Sequence, residues 1–171
     1  MTLDDVQIHA LQMAAAYSFL IQDMQKHDVD AHNLCSAVVE RGGQVLAVFF
    51  AYSNLSAIPA QLQQAYGFVD GKVSHKLINR GGMQDLHTEV RLINHLYANG
   101  YLVANTVVSF FSSRSCCATC RRAIMETMRL LSGTVALMAY EFKAEAHGSI
   151  TGNIYPILQD GAASQAALAY E

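Results

Sequence analysis

The sequence predicts a single three-layer α/β/α domain spanning residues 1–171, with a mixed central sheet of about five strands between helices. Three observations predict it. Segments with helical apolar spacing alternate with short β-rich runs in the order α-β-β-α-β-α-β. Two of the helical segments join successive strands, as crossover connections do. No internal repeat, low-complexity tract or linker interrupts the chain, and its length suffices for one buried core.

Each element has its own signal. Residues 4–26 carry Val6, Ala10, Met13, Tyr17, Leu20, Ile21 and Met24 as a helical stripe. Runs 35–39 and 44–52 flank Arg41-Gly42-Gly43 and read as a β-hairpin. A long glycine-bearing segment, 53–86, follows, with a short helix around 60–65. His87 opens a helix with Val90, Ile93, Leu96 and Tyr97 on its apolar face, Asp85 as N-cap and Gly100 as stop. Residues 106–113 form a third strand, and 117–131 a helix with Ala118, Ala123, Ile124, Met128 and Leu131 for its buried side. A fourth strand covers 134–142. The stretch 143–147 is too short for a helix, and 149–158 reads as a fifth strand whose direction, antiparallel or parallel to the fourth, the sequence leaves open.

Composition excludes several classes. The hydrophobic fraction is 52%, yet no stretch approaches the roughly twenty apolar residues that span a membrane. The start, Met1-Thr2-Leu3-Asp4-Asp5, is acidic and lacks the basic region of a secretory signal, so a cytoplasmic location is expected. Three of the 4 cysteines crowd into positions 116–120, which suits metal binding better than a disulfide framework. Cys35, in a β-rich stretch, reads as a small buried hydrophobe.

Charge is uneven. Lys72, Lys76, Arg80, Arg91, Arg114, Arg121, Arg122 and Arg129 face only Asp85, Glu89 and Glu126 within residues 72–129, so that segment carries +5 and the remainder −8, for a net −3. Arg121, Arg122 and Arg129 read individually as a solvated helix face. The cluster as a whole suits a phosphate-bearing substrate, and the net negative charge argues against sequence-blind binding to long duplexes.

The chemistry concentrates in two motifs, His87-Thr88-Glu89 and Cys117-Ala118-Thr119-Cys120. One imidazole and two thiolates supply three ligands for a tetrahedral Zn²⁺ and leave a fourth position open, as catalytic sites do. Cysteines three apart share one helix face, and thiolates are favoured at a helix N-terminus. Glu89 is not needed as a ligand and is free to pass protons. A CxxC alone also occurs as a redox pair or as half of a structural zinc site. A structural site would need a fourth ligand such as Cys116, which on a helix points about 100° away from Cys117.

Together the motifs and the element order resemble the cytidine-deaminase-like superfamily, whose signature is H-x-E followed by P-C-x-x-C. Within it the chain is most similar to the AID/APOBEC-type polynucleotide cytidine deaminases. Their helix H-[AV]-E is met here by His87-Thr88-Glu89-Val90. Their S-W-S-P-C-x-x-C is met by Ser112-Ser113-Arg114-Ser115-Cys116-Cys117-Ala118-Thr119-Cys120, in which Arg114 stands for tryptophan and Cys116 for proline. The similarity runs at residue level from 86 to 142.

The resemblance implies hydrolytic deamination of a nucleobase, most directly cytosine to uracil in single-stranded DNA or RNA. His87, Cys117 and Cys120 would bind Zn²⁺, and Glu89 would be the catalytic acid and base. It also carries over substrate contacts. Asn54 stands where the family holds base and sugar, though it reads equally as a turn residue. Tyr140 stands where aromatics meet the base preceding the target, and Thr88 and Ser115 flank the ligands. Arg114 offers a planar cation for a base or phosphate. The same chemistry serves a tRNA adenosine deaminase or a free-nucleoside deaminase, and an antiparallel fifth strand resembles the latter and several toxin deaminases. A toxin fragment is disfavoured by a chain that starts at Met1 without a delivery region. A non-catalytic zinc-stabilised binding module is the alternative of a different class. A homodimer fits any of these.

Overall fold

The computed structural model describes residues 2–24, 33–114, 117–131, 134–144 and 150–158. Thr2 caps the first helix, α1 (Leu3–Met24), reciprocally. Its hydroxyl accepts from the Asp5 backbone N–H at 3.1 Å, while the Asp5 carboxylate accepts from the Thr2 backbone N–H at 2.8 Å. Val6, Ala10, Met13, Ala14 and Tyr17 form the buried stripe of α1.

Strands β1 (Leu34–Arg41) and β2 (Gln44–Tyr52) form the hairpin. Gly42 and Gly43 sit at φ 59° and 76°. Two successive left-handed residues make the tight turn whose twist matches the paired strands, and glycine takes both positions without steric penalty. On its other side β1 pairs antiparallel with β3 (Thr106–Ser112), and β3 pairs parallel with β4 (Val135–Ala144). The mixed sheet β2-β1-β3-β4 is extended on the β4 side by β5 (Ile150–Leu158), which runs antiparallel to β4. Residues 145–149, part of the segment considered for a helix, lie outside the described residues.

Among the described residues the other α-helices are α2 (Ala60–Tyr66), α3 (Thr88–Ala98) and α4 (Ala118–Leu130). Strand alternation sends side chains to opposite faces of the sheet. Cys35, Ala37, Val39, Val108, Phe110, Leu137 and Ala139 pack with α3 and α4, while Leu34, Val38, Phe111, Tyr140 and Phe142 pack with α1. The helix α3 stops where the Tyr101 N–H reaches the Leu96 carbonyl at 3.0 Å and the Gly100 N–H reaches Tyr97 at 3.2 Å. Gly100, at φ 74°, provides the left-handed residue this closure needs.

Several expectations for these helices are corrected. Tyr97 does not belong to a buried face of α3; it is 43% exposed, whereas Arg91 and Asn94 are buried. The segment before the helix covers that side. The Asn94 side chain accepts from the Leu77 and Ile78 N–H groups at 2.9 and 3.0 Å and donates to the Ile78 carbonyl at 2.8 Å. Asp85 does not cap α3. It lies in a 3-10 turn, Gly82–Leu86, and accepts from the Arg80 and Gly81 N–H groups at 2.7 and 3.1 Å. Arg121 is not on a solvated face: it is 5% exposed, and its guanidinium meets Glu141. Arg122 and Arg129 are exposed as expected.

Candidate metal centre

Helices α3 and α4 present their N-termini to one cavity of about 440 Å³, within the range of roughly 300–1,000 Å³ typical of small-molecule sites. The N-cap residues are His87 and Cys117, both in extended backbone. A residue in that position leaves the helical path, so its side chain projects past the helix end beside unpaired N–H groups. Cys120 sits in the first turn of α4 and donates its backbone N–H to the Cys117 sulfur at 3.4 Å. The Arg91 guanidinium fixes α3 in place by donating to the Tyr52 and Ser53 carbonyls at 2.8 and 3.3 Å, at the end of β2. Gly71 leaves room for the stem of this arginine, since a Cβ there would come within 2.8 Å of the Arg91 Cγ.

His87 Nδ1 lies 3.2 Å from Cys117 Sγ and 3.5 Å from Cys120 Sγ, and the three ligand atoms all fall within 4.8 Å of one another. This group could hold a metal ion. The donor chemistry fits zinc. Tetrahedral coordination with Zn–S of about 2.3 Å and Zn–N of about 2.0–2.1 Å places neighbouring N and S atoms about 3.5–3.6 Å apart. The observed separations are within about 0.4 Å of that. His87, Cys117 and Cys120 all line the cavity. Hydrogen bonds from the Cys120 thiol and backbone N–H, with His87 beside them, push the Cys117 thiol down to about 5 against its partial burial. Cys35, fully buried, is pushed well up by desolvation and is an inert core thiol.

Glu89 lines the same cavity and is 1% exposed. Its carboxylate accepts from the Thr88 hydroxyl at 2.6 Å and from Asn33 Nδ2 at 3.4 Å. Thr88 and Arg114 also line the cavity. Asn54 does not. It precedes a 3-10 turn, Leu55–Ala57, and accepts from the Ser56 hydroxyl at 3.1 Å, while its neighbour Ser53 reaches the cavity. Tyr140 does not line it either. Its ring is 7% exposed, stacked on Phe111 at 5.1 Å within the core on the α1 side, and burial raises its hydroxyl. Ser115 and Cys116 lie outside the described residues.

Half of the basic cluster is engaged in ion pairs or buried contacts, while Lys72, Arg114, Arg122 and Arg129 are exposed. Lys76 pairs with Asp85 at 2.9 Å, Arg80 with Glu126 at 2.7 Å, and Arg91 and Arg121 are buried in the contacts already described. Arg114, exposed, is the basic residue on the cavity lining.

Two features of the site escaped the sequence. Asn33 precedes β1 and has no local signature beyond that of a loop residue, yet it reaches Glu89. Met83 and Leu86, 77% and 43% exposed, form an apolar rim that only an exposed hydrophobic in a turn would have flagged. Among the described residues no helix is long and apolar enough to cross a membrane. The chain matches no protein-family model, no curated protein and no solved structure.

Proposed function

We propose that this protein is a zinc-dependent hydrolytic nucleobase deaminase with a three-layer, cytidine-deaminase-like architecture, converting cytosine to uracil in single-stranded nucleic acid. One observation carries the reading. The three candidate ligands His87, Cys117 and Cys120 share a cavity with a buried carboxylate, Glu89, that is not itself in the ligand group. Helices on both faces of a mixed sheet are consistent with that architecture.

A zinc ion held by His87, Cys117 and Cys120 would supply Lewis acidity, lowering the pKa of a water towards neutrality. Glu89 is the residue that moves protons. It accepts a proton from the attacking water and delivers it to the ring nitrogen, then accepts the proton of the newly added hydroxyl and gives it to the departing amine, so that a C–O bond replaces a C–N bond and ammonia leaves. Thr88 and Asn33 hold the carboxylate from behind. Arg114 and the apolar pair Met83 and Leu86 flank the opening, where a phosphate and an unstacked base of a flexible strand would find partners.

A second reading, deamination of a free nucleoside, is favoured by the antiparallel pairing of β5 with β4. The test is to incubate purified protein with single-stranded DNA, tRNA and free nucleosides and to search by mass spectrometry for uracil, inosine and uridine. Uracil in the oligonucleotide supports the first reading and uridine from cytidine the second. Zinc-loaded protein that converts none of these substrates overturns the enzyme assignment.

A further inference from the structure

Asn33 commits both N–H groups and the oxygen of its carboxamide inside the protein. The Leu34 N–H donates to the Ser113 hydroxyl at 2.9 Å, and that hydroxyl donates onward to Asn33 Oδ1 at 3.0 Å. The amide nitrogen is turned towards the Glu89 carboxylate, which can only accept. Asn33 Nδ2 then donates to Ser112 Oγ at 2.9 Å and to Thr88 Oγ1 at 3.0 Å, with Glu89 Oε1 at 3.4 Å as a third acceptor. Each accepting hydroxyl has one proton to pass on. Ser112 gives its proton to the Arg114 carbonyl at 2.7 Å, and Thr88 gives its own to Glu89 Oε2 at 2.6 Å. The backbone of Asn33 is anchored as well, its N–H donating to Ser53 Oγ at 2.7 Å.

One side chain therefore ties together the end of β3, the backbone that presents Arg114, and both oxygens of the Glu89 carboxylate. We propose that Asn33 is the positioning residue for Glu89, holding its carboxylate in one orientation, directly and through Thr88, and locking that orientation to the 112–114 segment. Asn33 lines the cavity, but both of its amide protons are committed inside the protein. Its place could not be taken by aspartate, which has no proton to give Thr88 or Ser112 and would set a like charge against Glu89. This inference rests on the deaminase reading for its kinetic consequence, not for its geometry.

The test compares Asn33→Ala, Asn33→Asp, Thr88→Val, Thr88→Ser and the Asn33→Ala/Thr88→Val double variant. Asn33→Ala and Thr88→Val should each keep the metal and lower kcat about 10–100-fold, as loss of a supporting partner does, with KM changed less than about threefold. Asn33→Asp should be no better than Asn33→Ala. Thr88→Ser, which keeps the hydroxyl, should restore the rate. The double variant should be no slower than the slower single one, because both cut the same chain. Unchanged kcat in both single variants, or effects that multiply in the double, overturn the proposal. If Asn33→Ala fails to fold, the contrast between Thr88→Val and Thr88→Ser decides. A readout independent of turnover separates this inference from the enzyme assignment. The Asn33 side-chain amide pair in a ¹H–¹⁵N spectrum should shift in both Thr88→Val and Glu89→Gln. Protein that converts no substrate but shows these shifts loses the deaminase reading and keeps the positioning; absent shifts overturn the positioning whatever the activity.

Discussion

The Arg121 guanidinium lies 3.4 Å from the Glu141 carboxylate, and the two side chains are 6% and 14% exposed, so this pair fastens α4 to β4 from within. Removing one member of a buried ion pair costs about 3–5 kcal/mol. Arg121→Ala should lower the unfolding free energy by about that amount, read from the midpoint of a urea titration at constant slope. A loss below about 0.5 kcal/mol would identify a solvated pair instead.

The arrangement of His87, Cys117 and Cys120 predicts about one zinc per chain in protein purified without added metal, by elemental analysis. A chelator should remove it and lower the melting temperature, since an ion that binds only the folded state stabilises it by mass action. Metal-free protein with an unaltered melting temperature after zinc addition would discard the centre.

Glu89→Gln keeps the size of the side chain and removes its capacity to carry protons. Zinc content should be unchanged while deamination falls at least about 100-fold. Activity retained within a few fold would take the acid–base role away from Glu89. Loss of folding would show that the carboxylate is needed by the Asn33–Thr88 network rather than by the reaction.

Arg114 separates the two substrate classes. With a polynucleotide, Arg114→Ala should weaken binding and flatten the plot of log affinity against log salt by about one phosphate contact. With free cytidine the kinetics should barely move. An unchanged salt slope on an oligonucleotide that the protein does deaminate would show that the guanidinium holds no phosphate.

Asp85 gives a pH prediction. Burial pushes its carboxyl up, but the bonds from Lys76 and from the Arg80 and Gly81 N–H groups outweigh burial and hold it below the ordinary carboxylate range. A lowered folded-state value contributes stability that is present above the unfolded value of about 3.9 and is lost as pH falls through the folded one. The melting temperature should therefore fall on acidification below about pH 4. Asp85→Asn should melt lower at neutral pH and show a shallower acid fall. An acid limb identical to that of the unmodified protein would remove Asp85 from the account.

Much of this molecule is legible in the sequence because the signals involved are local. Apolar periodicity, the Gly42-Gly43 turn and the Gly100 stop act within a few residues, and the corresponding elements appear with boundaries within a few residues of those read. The ligand types and their places at helix starts are local too, since His87 and Cys117 each head an apolar-periodic run. Other features involve partners distant in sequence. Asp85 looked like an N-cap by position, but its carboxylate is committed to the preceding loop. Tyr97 had helical spacing, but the segment ending at Ile78 buries Asn94 instead.

By itself, then, the sequence determined which segments are helices and strands and which residues could ligate a metal, because backbone propensity and side-chain chemistry belong to each residue. The tertiary structure decided which of those residues meet. It set Asn33 against Glu89 across 56 positions of chain and Arg121 against Glu141 across 20. It also turned Tyr140 into the α1-side core, away from the cavity. Strand alternation fixes that neighbouring side chains face opposite ways. Which way is inward towards the cavity is set by where α3 and α4 dock, and that depends on burying the whole sheet face at once.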